Sequence, residues 1–399
     1  MANHPRITEV ATYEVAYLLE QGVSRESGGI PFEDLTLAAT VGRKVWNGLI
    51  LREWSKEQSD DWLFTAINDP AGIVTQFELR ALNRLWKGAG DAWSGIPADW
   101  RAHWQNVIRD GSWTSAMGRI LLASQVHVLF AMDQEWTSAE MPHVFAWDGR
   151  LVAAEQAWHG YLVWGDWSDE FLRYFLNCYT ATFSHVGSNL GKHRARFCEH
   201  IAWIAVFGAR NPLADGWLSG FIRTVGEEDR ISWVSSVEQA LKQVPSEKKQ
   251  LVWDKWIKTY WTMRNQGQPL LPSGLEVSLM AGWLIHLGSA MPEALELLLQ
   301  GPRPVPRDNH ANLSLYMQLN DLQIDAQYPQ EVALYLRCLL DSEAGAPYLN
   351  PIDAVIRRLI ASAADRRVLI EICERLSVLG CPAEAAELRN LVGPSTSDT

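Results

Sequence analysis

Residues 253–267 read WDKWIKTYWTMRNQG, and this stretch decides the fold class. Its aromatic side chains recur at spacings of three, four and eight positions, which places them on one side of an α-helix. They are Trp253, Trp256, Tyr260 and Trp261. A stripe of such bulky rings needs a large partner surface, so we expect long helices that pack side by side.

Helical periodicity continues along nearly the whole chain, whereas long alternating strand patterns are almost absent. It predicts, for example, single helices over residues 115–131 and 246–266. The chain has 20 tryptophans among 399 residues, and all lie at or before Trp283. Many helices that each bury one face, without one oversized core, are typical of helical repeats. We therefore predict an all-α fold, an irregular, solenoid-like helical-repeat array rich in tryptophan.

Two segments share a W-x-G core followed by two apolar residues, and they start at Trp46 and Trp158. Each precedes an acidic segment that leads to another aromatic residue, at residues 60–62 and 169–171. Their separation of 112 residues (158 − 46) exceeds that of standard solenoid units, which is about 34 to 47 residues. Two copies of a helical hairpin and coincidence both explain the likeness.

Breakers and composition predict four segments. Residues 1–300 form the tryptophan-rich helical array, and residues 301–308, GPRPVPRD, form a linker with three prolines. A C-terminal helical subdomain with three helices follows over residues 309–392. Residues 393–399, GPSTSDT, are expected to be a disordered tail.

The overall composition is that of a globular protein, with 47% hydrophobic and 21% charged residues. The net charge of −12 argues against general nucleic-acid binding, because phosphates are neutralised by a basic face. A local basic run occurs at Lys192, His193, Arg194 and Arg196. On a helix such a run is more often a solvated face than a nucleic-acid contact.

The five cysteines are odd in number and irregularly spaced, which predicts free thiols in a reducing cytoplasm. The first residues, MANHPRITEV, lack a charged leader followed by an apolar stretch. No window of 18 uninterrupted apolar residues occurs, so no membrane span is expected. These features predict a cytoplasmic protein that does not act at a membrane.

No catalytic, cofactor-binding or metal-ligating residue is assigned from the sequence. His193, Cys198 and His200 are the nearest to a metal or Cys–His arrangement, but the two histidines are seven residues apart and HExxH and CxxC patterns are absent. The usual phosphate cradles and the G-x-S-x-G elbow are also missing. An enzyme with an unrecognised site near these three residues remains an alternative, since a Cys–His pair requires spatial proximity.

The aromatic residues allow two interpretations. Indole rings stack on bases or cage cationic ligands in some proteins, but here most tryptophans lie among aliphatic residues at helical spacing, which favours core packing. Arg264 is expected to stack over the indole of Trp261. The structural or interface candidates are Trp253, Trp256, Tyr260, Trp261, Arg264 and Trp283.

A family resemblance extends this interpretation. Residues 253–269 follow the pattern W-x-x-W-x-x-x-Y-W-x-x-R-x-x-G-x-P, and Glu276, Met280, Trp283 and Leu287 lead to Met-Pro-Glu-Ala at residues 291–294. This stretch resembles the C-terminal helical domain of unknown function that follows sirtuin-like domains in bacterial anti-phage defence proteins. The resemblance is firmest over residues 253–292 and extends over residues 1–300.

In that family the sirtuin-like part is associated with NAD hydrolysis, and the helical part with sensing infection or assembling the complex. The present chain has no Gly-rich strand-turn-helix at its start and no parallel-sheet pattern, so the resemblance transfers no NADase residue. It implies a non-catalytic sensor or scaffold without a cofactor. The alternatives are the enzyme with an unrecognised site near His193, Cys198 and His200, and a generic helical scaffold. Either the chain is a separated helical half, or it acts beside a partner encoded elsewhere. The expected partner is a sirtuin-like NADase or a phage protein.

Overall fold

The structure is a computed structural model that describes residues 5–25, 28–50, 59–305, 312–362 and 364–393, with side chains from residue 12 onward. Within these ranges the chain forms helices and no strand, so the all-α prediction is confirmed. No single helix in the described part is long and apolar enough to span a membrane, although one bent pair, residues 113–124 with 126–132, meets that test jointly.

The chain folds into two compact units, residues 1–197 and residues 198–399. The α-helices of the first unit are α1 (Pro5–Ser24), α2 (Leu35–Ile50), α3 (Trp62–Asn68), α4 (Pro70–Ala89), α5 (Ala98–Arg109), α6 (Trp113–Ser124), α7 (Val126–Met132), α8 (Gln134–Glu140), α9 (Leu151–Trp164), α10 (Asp169–Thr182) and α11 (Val186–Asn189). The next helix, α12 (Arg194–Phe207), includes the boundary between the units.

The second unit continues with α13 (Trp217–Thr224), α14 (Glu227–Lys242), α15 (Lys249–Val252), α16 (Lys258–Asn265), α17 (Gly274–Met280), α18 (Met291–Gln300), α19 (Leu313–Leu322), α20 (Pro329–Asp341), α21 (Leu349–Ala361), α22 (Arg366–Val378) and α23 (Pro382–Val392). Five of these helices follow residue 309, where the sequence predicted three. Short connections separate these helices, and the connection before α23 contains Gly380 at a positive φ of 99°, which glycine adopts without strain.

Short polar side chains set several helix starts. The Asp61 carboxylate accepts from the backbone N–H of Phe64 at the start of α3, and Asp69 precedes Pro70 at the start of α4. At α17, Ser273 and Glu276 form a reciprocal capping box. These caps satisfy backbone donors that have no partner inside the helix, so they mark where each helix begins.

Helix α6 lies at the centre of the first unit. Its residues from Thr114 to Ser124 are buried, and it packs against α4 and α9. The chain then bends by 70° into α7, with Gln125 at the bend. The prediction of a single helix over residues 115–131 is therefore wrong. The apolar residues before and after Gln125 belong to two helices that run in different directions.

The W-x-G segments occupy different environments. A Cβ atom added to Gly160 on α9 would lie 2.5 Å from the carbonyl oxygen of Ile120, so glycine permits α6 and α9 to approach closely. Among the described residues, a Cβ atom at Gly48 on α2 would meet nothing within 4 Å outside its own helix. The shared spacing thus does not reflect a shared packing role. Residues 51–58, which end the first segment, lie outside the described residues.

The last helices of the second unit stack in a regular way, since each packs against the next but one: α18 on α20, α19 on α21, α20 on α22 and α21 on α23. Such stacking is typical of helical repeats. Tyr335 on α20 donates a hydrogen bond of 2.8 Å to the carbonyl of Ala281, so helices on both sides of residues 301–308 pack together. Residues 306–308 of that predicted linker, and residues 394–399 of the predicted tail, lie outside the described ranges.

Candidate functional site

The aromatic stripe that decides the fold lies in the interior of the second unit. The side chains of Trp253, Trp256 and Trp283 are 0% exposed, and those of Tyr260 and Trp261 are 2% exposed. Trp283 meets the rings of Trp256, Tyr260 and Trp261 at centroid distances of 5.8 to 6.4 Å, mostly edge to face. The stripe therefore builds a closed aromatic core rather than an exposed surface.

The backbone of this stripe departs from a regular α-helix. Residues Trp253–Ile257 form a π-helix between α15 and α16, so the single helix predicted over residues 246–266 is interrupted. A π-helical turn contains an extra residue, which rotates the side chains that follow. Trp256, Tyr260 and Trp261 are buried in one core, as the spacing predicted, but they follow a backbone that is π-helical at residues 253–257 where a regular α-helix was expected.

A charged network lies against the aromatic core. Arg264 and Glu276 are both 0% exposed, and the Arg264 guanidinium donates hydrogen bonds to Glu276 Oε1 at 2.8 Å, to the Tyr260 hydroxyl at 2.6 Å and to the Leu270 carbonyl at 2.9 Å. Arg230 donates to both oxygens of the same carboxylate at 3.3 Å. The charges are thus paired and hydrogen-bonded, as buried charges must be.

Arg264 lies over the ring of Tyr260, at 5.5 Å from its centroid, where the sequence predicted Trp261. Burial raises the pKa of Tyr260. Burial opposes the charge of Arg264, but Tyr260 and Glu276 outweigh it and raise the pKa of the guanidinium. The network therefore holds the positive charge of Arg264 in the core. The hydrogen bonds of this guanidinium go to acceptors of the protein itself.

The residues of the alternative enzyme site are buried individually. His193 is 7% exposed, Cys198 0% and His200 4%. His193 ends a short 3-10 turn before α12, whereas Cys198 and His200 lie on α12 itself. In the part of the chain that the structure describes, no group of three or more His, Cys, Asp or Glu side chains is placed to hold a metal ion. All five cysteines are thiols, as the sequence predicted.

A polar cluster that the sequence did not single out joins α3, α9 and residues 185–193 of the first unit. The rings of His159 and His193 lie 4.6 Å apart, and His159 Nε2–H donates to the Asn189 carbonyl at 3.1 Å. Glu155 accepts from Trp62 Nε1 and from Asn189 Nδ2, each at 3.2 Å.

Burial favours the neutral form of both imidazoles in this cluster. Burial, followed by the neighbouring His159 and Lys192, lowers the pKa of His193 to about 4. Burial also lowers the pKa of His159. At the rim, Lys192 pairs with Asp61 and lowers the pKa of that carboxyl although burial opposes the shift. The basic run at residues 192–196 therefore begins with a residue bound to an acid of its own unit.

The candidate functional site is an open cavity of about 400 Å³ in the first unit, between α7 and the loop that joins α9 to α10. Its polar lining includes Asp166 and Glu170, and Trp167 and His127 add ring surfaces. Burial lowers the pKa of His127 although Asp166 opposes the shift, so near neutral pH the imidazole adds no positive charge. The cavity therefore combines two carboxylates with aromatic surface.

Such a combination suits a cationic group. Carboxylates form charge-assisted hydrogen bonds with ammonium and guanidinium groups, and an indole face attracts the same cations. The acidic segment at residues 169–171, which the sequence placed after the second W-x-G segment, contributes Glu170 and Phe171 to the lining. His127 and Asp166 are separated along the chain and carry no motif, so spacing alone did not reveal them.

The comparisons with known proteins concern the second unit. No curated protein and no solved structure matches the chain. A family model described as Domain of unknown function (DUF4020) matches residues 209–343, which include the stretch 253–292 that carries the resemblance. This part of the chain is therefore similar to a domain of unknown function.

Proposed function

We propose that this chain is a non-catalytic sensor or scaffold of a bacterial anti-phage defence system, and that it binds a sirtuin-like NADase. The observation that carries the binding role is the acidic, aromatic-lined cavity between α7 and the α9–α10 loop, which contains Asp166, Glu170 and Trp167. It fits a lysine or arginine side chain of a partner protein, and the net charge of −12 favours a basic partner surface.

The partner class rests on the resemblance of residues 253–292 to helical domains that accompany sirtuin-like domains. The matching of residues 209–343 to a domain of unknown function is compatible with this assignment and adds no activity of its own. In this proposal the closed aromatic core around Trp256 and Trp283 gives the second unit its rigidity. The open cavity of the first unit provides the contact with the partner protein.

Affinity purification of the tagged full chain from infected and uninfected bacterial cells tests the proposal. We expect a sirtuin-like protein to be recovered with the wild-type chain, and we expect infection to change its amount. Replacing both cavity carboxylates, Asp166→Asn with Glu170→Gln, should reduce recovery about tenfold or more, since paired interface charges contribute about 1.5 kcal/mol or more.

Glu135→Gln is the matched control, because Glu135 is an exposed acid at the start of α8 and does not line the cavity. It should leave recovery unchanged. Recovery of neither a defence protein nor a phage protein in either state would overturn the defence role. Equal recovery by the double variant and the control would place the interface elsewhere.

The enzymatic alternative is tested separately by incubating the purified chain with NAD. We expect the NAD concentration to stay constant over hours. NAD breakdown that is lost in His200→Ala would favour an enzyme with a site near His193, Cys198 and His200.

A further inference from the structure

A second cavity, of about 310 Å³, lies in the first unit where the chain bends between α6 and α7. The two helices meet at 70°, and residues of α4, α6, α7 and the end of α9 line the concave space beside the bend. From α4 it is lined by residues spaced three, four and seven apart, which share one helix face: Gln76, Leu79, Arg80 and Asn83. Its size falls within the range of small-molecule sites, about 300 to 1,000 Å³.

Three carboxamide side chains line this cavity, and they belong to Gln76, Asn83 and Gln125. All three are partly buried, and no side-chain hydrogen bond to another described residue occupies them. Each carboxamide offers two N–H donors and one carbonyl acceptor on a single plane. Polar groups of this kind that converge on a cavity orient a ligand and give the site its specificity.

The other lining residues supply flat apolar surface. Trp164, at the end of α9, is 41% exposed, and the buried side chains of Leu79, Leu121 and Met132 line the interior. Arg80 is the charged residue of the lining, and it already forms an ion pair with Glu20 of α1. A site with an indole, carboxamides and a neutralised arginine favours an uncharged, planar, hydrogen-bonding ring over a free anion or cation.

We propose that this cavity binds a purine base, as the free base or as part of a nucleoside or nucleotide. The base stacks on Trp164, and carboxamides from α4 and Gln125 pair with its edge. A carboxamide matches the adjacent donor and acceptor of adenine, and aromatic side chains stack on bases in many nucleotide sites. This site is separate from the carboxylate cavity and does not depend on the proposed partner.

Isothermal titration calorimetry of the full chain with adenine, adenosine and AMP tests the site. We expect saturable binding of adenosine, and weaker binding of uridine because a pyrimidine has less surface to stack. Trp164→Leu should weaken adenosine binding about tenfold, the typical effect of losing one base–aromatic stack. Asn83→Leu should weaken it about fivefold through the loss of a hydrogen-bonding group.

Trp203→Leu is the matched control, because Trp203 is a partly buried indole of the second unit that lines neither cavity. It should leave adenosine affinity within about twofold of wild type, because Trp203 lies outside the proposed site. Circular dichroism confirms that each variant is folded. The proposal is overturned if adenine, adenosine and AMP all fail to bind at millimolar concentration. It is equally overturned if Trp164→Leu binds adenosine as tightly as Trp203→Leu does.

Discussion

At the scale of single residues, the aromatic core of the second unit depends on packing more than on hydrogen bonds. Trp283 donates its indole N–H to the Val234 carbonyl at 3.0 Å, and Trp253 donates to Glu293 at 2.6 Å. The indole N–H groups of Trp233 and Trp256 are buried without a hydrogen-bond partner among the described residues. Burying these two rings stabilises the fold despite the cost of an unsatisfied donor.

Replacing Trp256 with alanine should therefore lower the free energy of unfolding by about 3–5 kcal/mol, through lost contacts and a cavity. Urea denaturation followed by circular dichroism measures the change. The control is Trp164→Ala, whose ring is 41% exposed and whose loss should cost much less. Unchanged stability in Trp256→Ala, together with lost partner binding, would identify an interface residue instead of a core residue.

The buried ion pair of Arg264 and Glu276 gives a second test at this scale. Arg264→Met leaves the carboxylate with Arg230 and the cap at Ser273, and it should still cost about 3–5 kcal/mol because a buried charge loses its closest partner. Adding Glu276→Met removes the carboxylate that has lost its closest partner. The double variant should lose less stability than the two single variants summed, and strict additivity in a double-mutant cycle would contradict the pairing.

At the scale of elements, the contact between α6 and α9 depends on one glycine. Gly160→Ala would place a methyl group 2.5 Å from the Ile120 carbonyl oxygen, so the helices must separate, at a cost of about 1–3 kcal/mol. Gly48→Ala is the matched control on α2, where the added methyl group meets no other described residue within 4 Å outside its own helix. It should stabilise the chain by about 0.5–1 kcal/mol through higher helix propensity. Thermal melts that rank the two variants in the opposite order would contradict this packing.

The histidine cluster that joins α3, α9 and residues 185–193 should make stability depend on pH. The folded-state pKa of His193 is about 4, below its ordinary value of 6.5. Below pH 6.5 the unfolded chain binds a proton that the folded chain does not bind until about pH 4, so the free energy of unfolding falls across that window. The lowered pKa of His159 acts in the same direction.

Denaturant unfolding at several values between pH 6.5 and about pH 4 measures this dependence. His193→Gln cannot take up the proton, so its stability should fall less steeply than that of wild type as the pH decreases. His143→Gln, at an exposed histidine, should follow the wild-type slope. Identical slopes for all three proteins would show that His193 does not bind its proton differently in the folded and unfolded chains.

At the scale of the whole molecule, the second unit continues through the proline-containing segment at residues 301–305. Besides the hydrogen bond of Tyr335 to Ala281, His286 Nε2 lies 3.1 Å from the side-chain oxygen of Gln318 on α19. Ser278 also bonds to both the N–H and the carbonyl of Val305. Residues 301–305 are therefore held against the helices that precede them. The helices that follow this segment cover apolar side chains of those preceding helices.

A chain that ends after Gln300 should consequently lose cooperative unfolding and aggregate, because it exposes apolar surface that α20 buries. Size-exclusion chromatography and calorimetry measure the effect. Tyr335→Phe in the full chain keeps the ring and removes the hydrogen bond, so it should cost only about 1 kcal/mol. A truncated chain that stays monomeric and melts like wild type would show that the last helices form an independent domain.

The sequence alone was sufficient for the fold class and for the aromatic stripe at residues 253–261, whereas it did not single out Trp233, which packs against Trp256, Tyr260 and Trp283. The periodicity of apolar side chains indicates which face of each helix is apolar. Burial of that face is the main source of helix stability in a folded chain. Trp253, Trp256, Tyr260 and Trp261 are buried for that reason, although the π-helix among them was not predictable from spacing. The helix break at Gln125 was not predicted, because apolar residues continue in the sequence on both sides of it.

Only the tertiary structure brought together the residues of the candidate sites. His127 and Asp166 meet at one cavity, Asn83 and Trp164 meet at another, and the rings of His159 on α9 and His193 before α12 lie 4.6 Å apart. The sequence around each of these residues is of a kind found in many helices, so no motif identifies the residue. Their proximity follows from the angle and closeness at which helices pack. Those depend on long-range contacts, such as the approach of α9 to α6 at Gly160, which local periodicity does not encode.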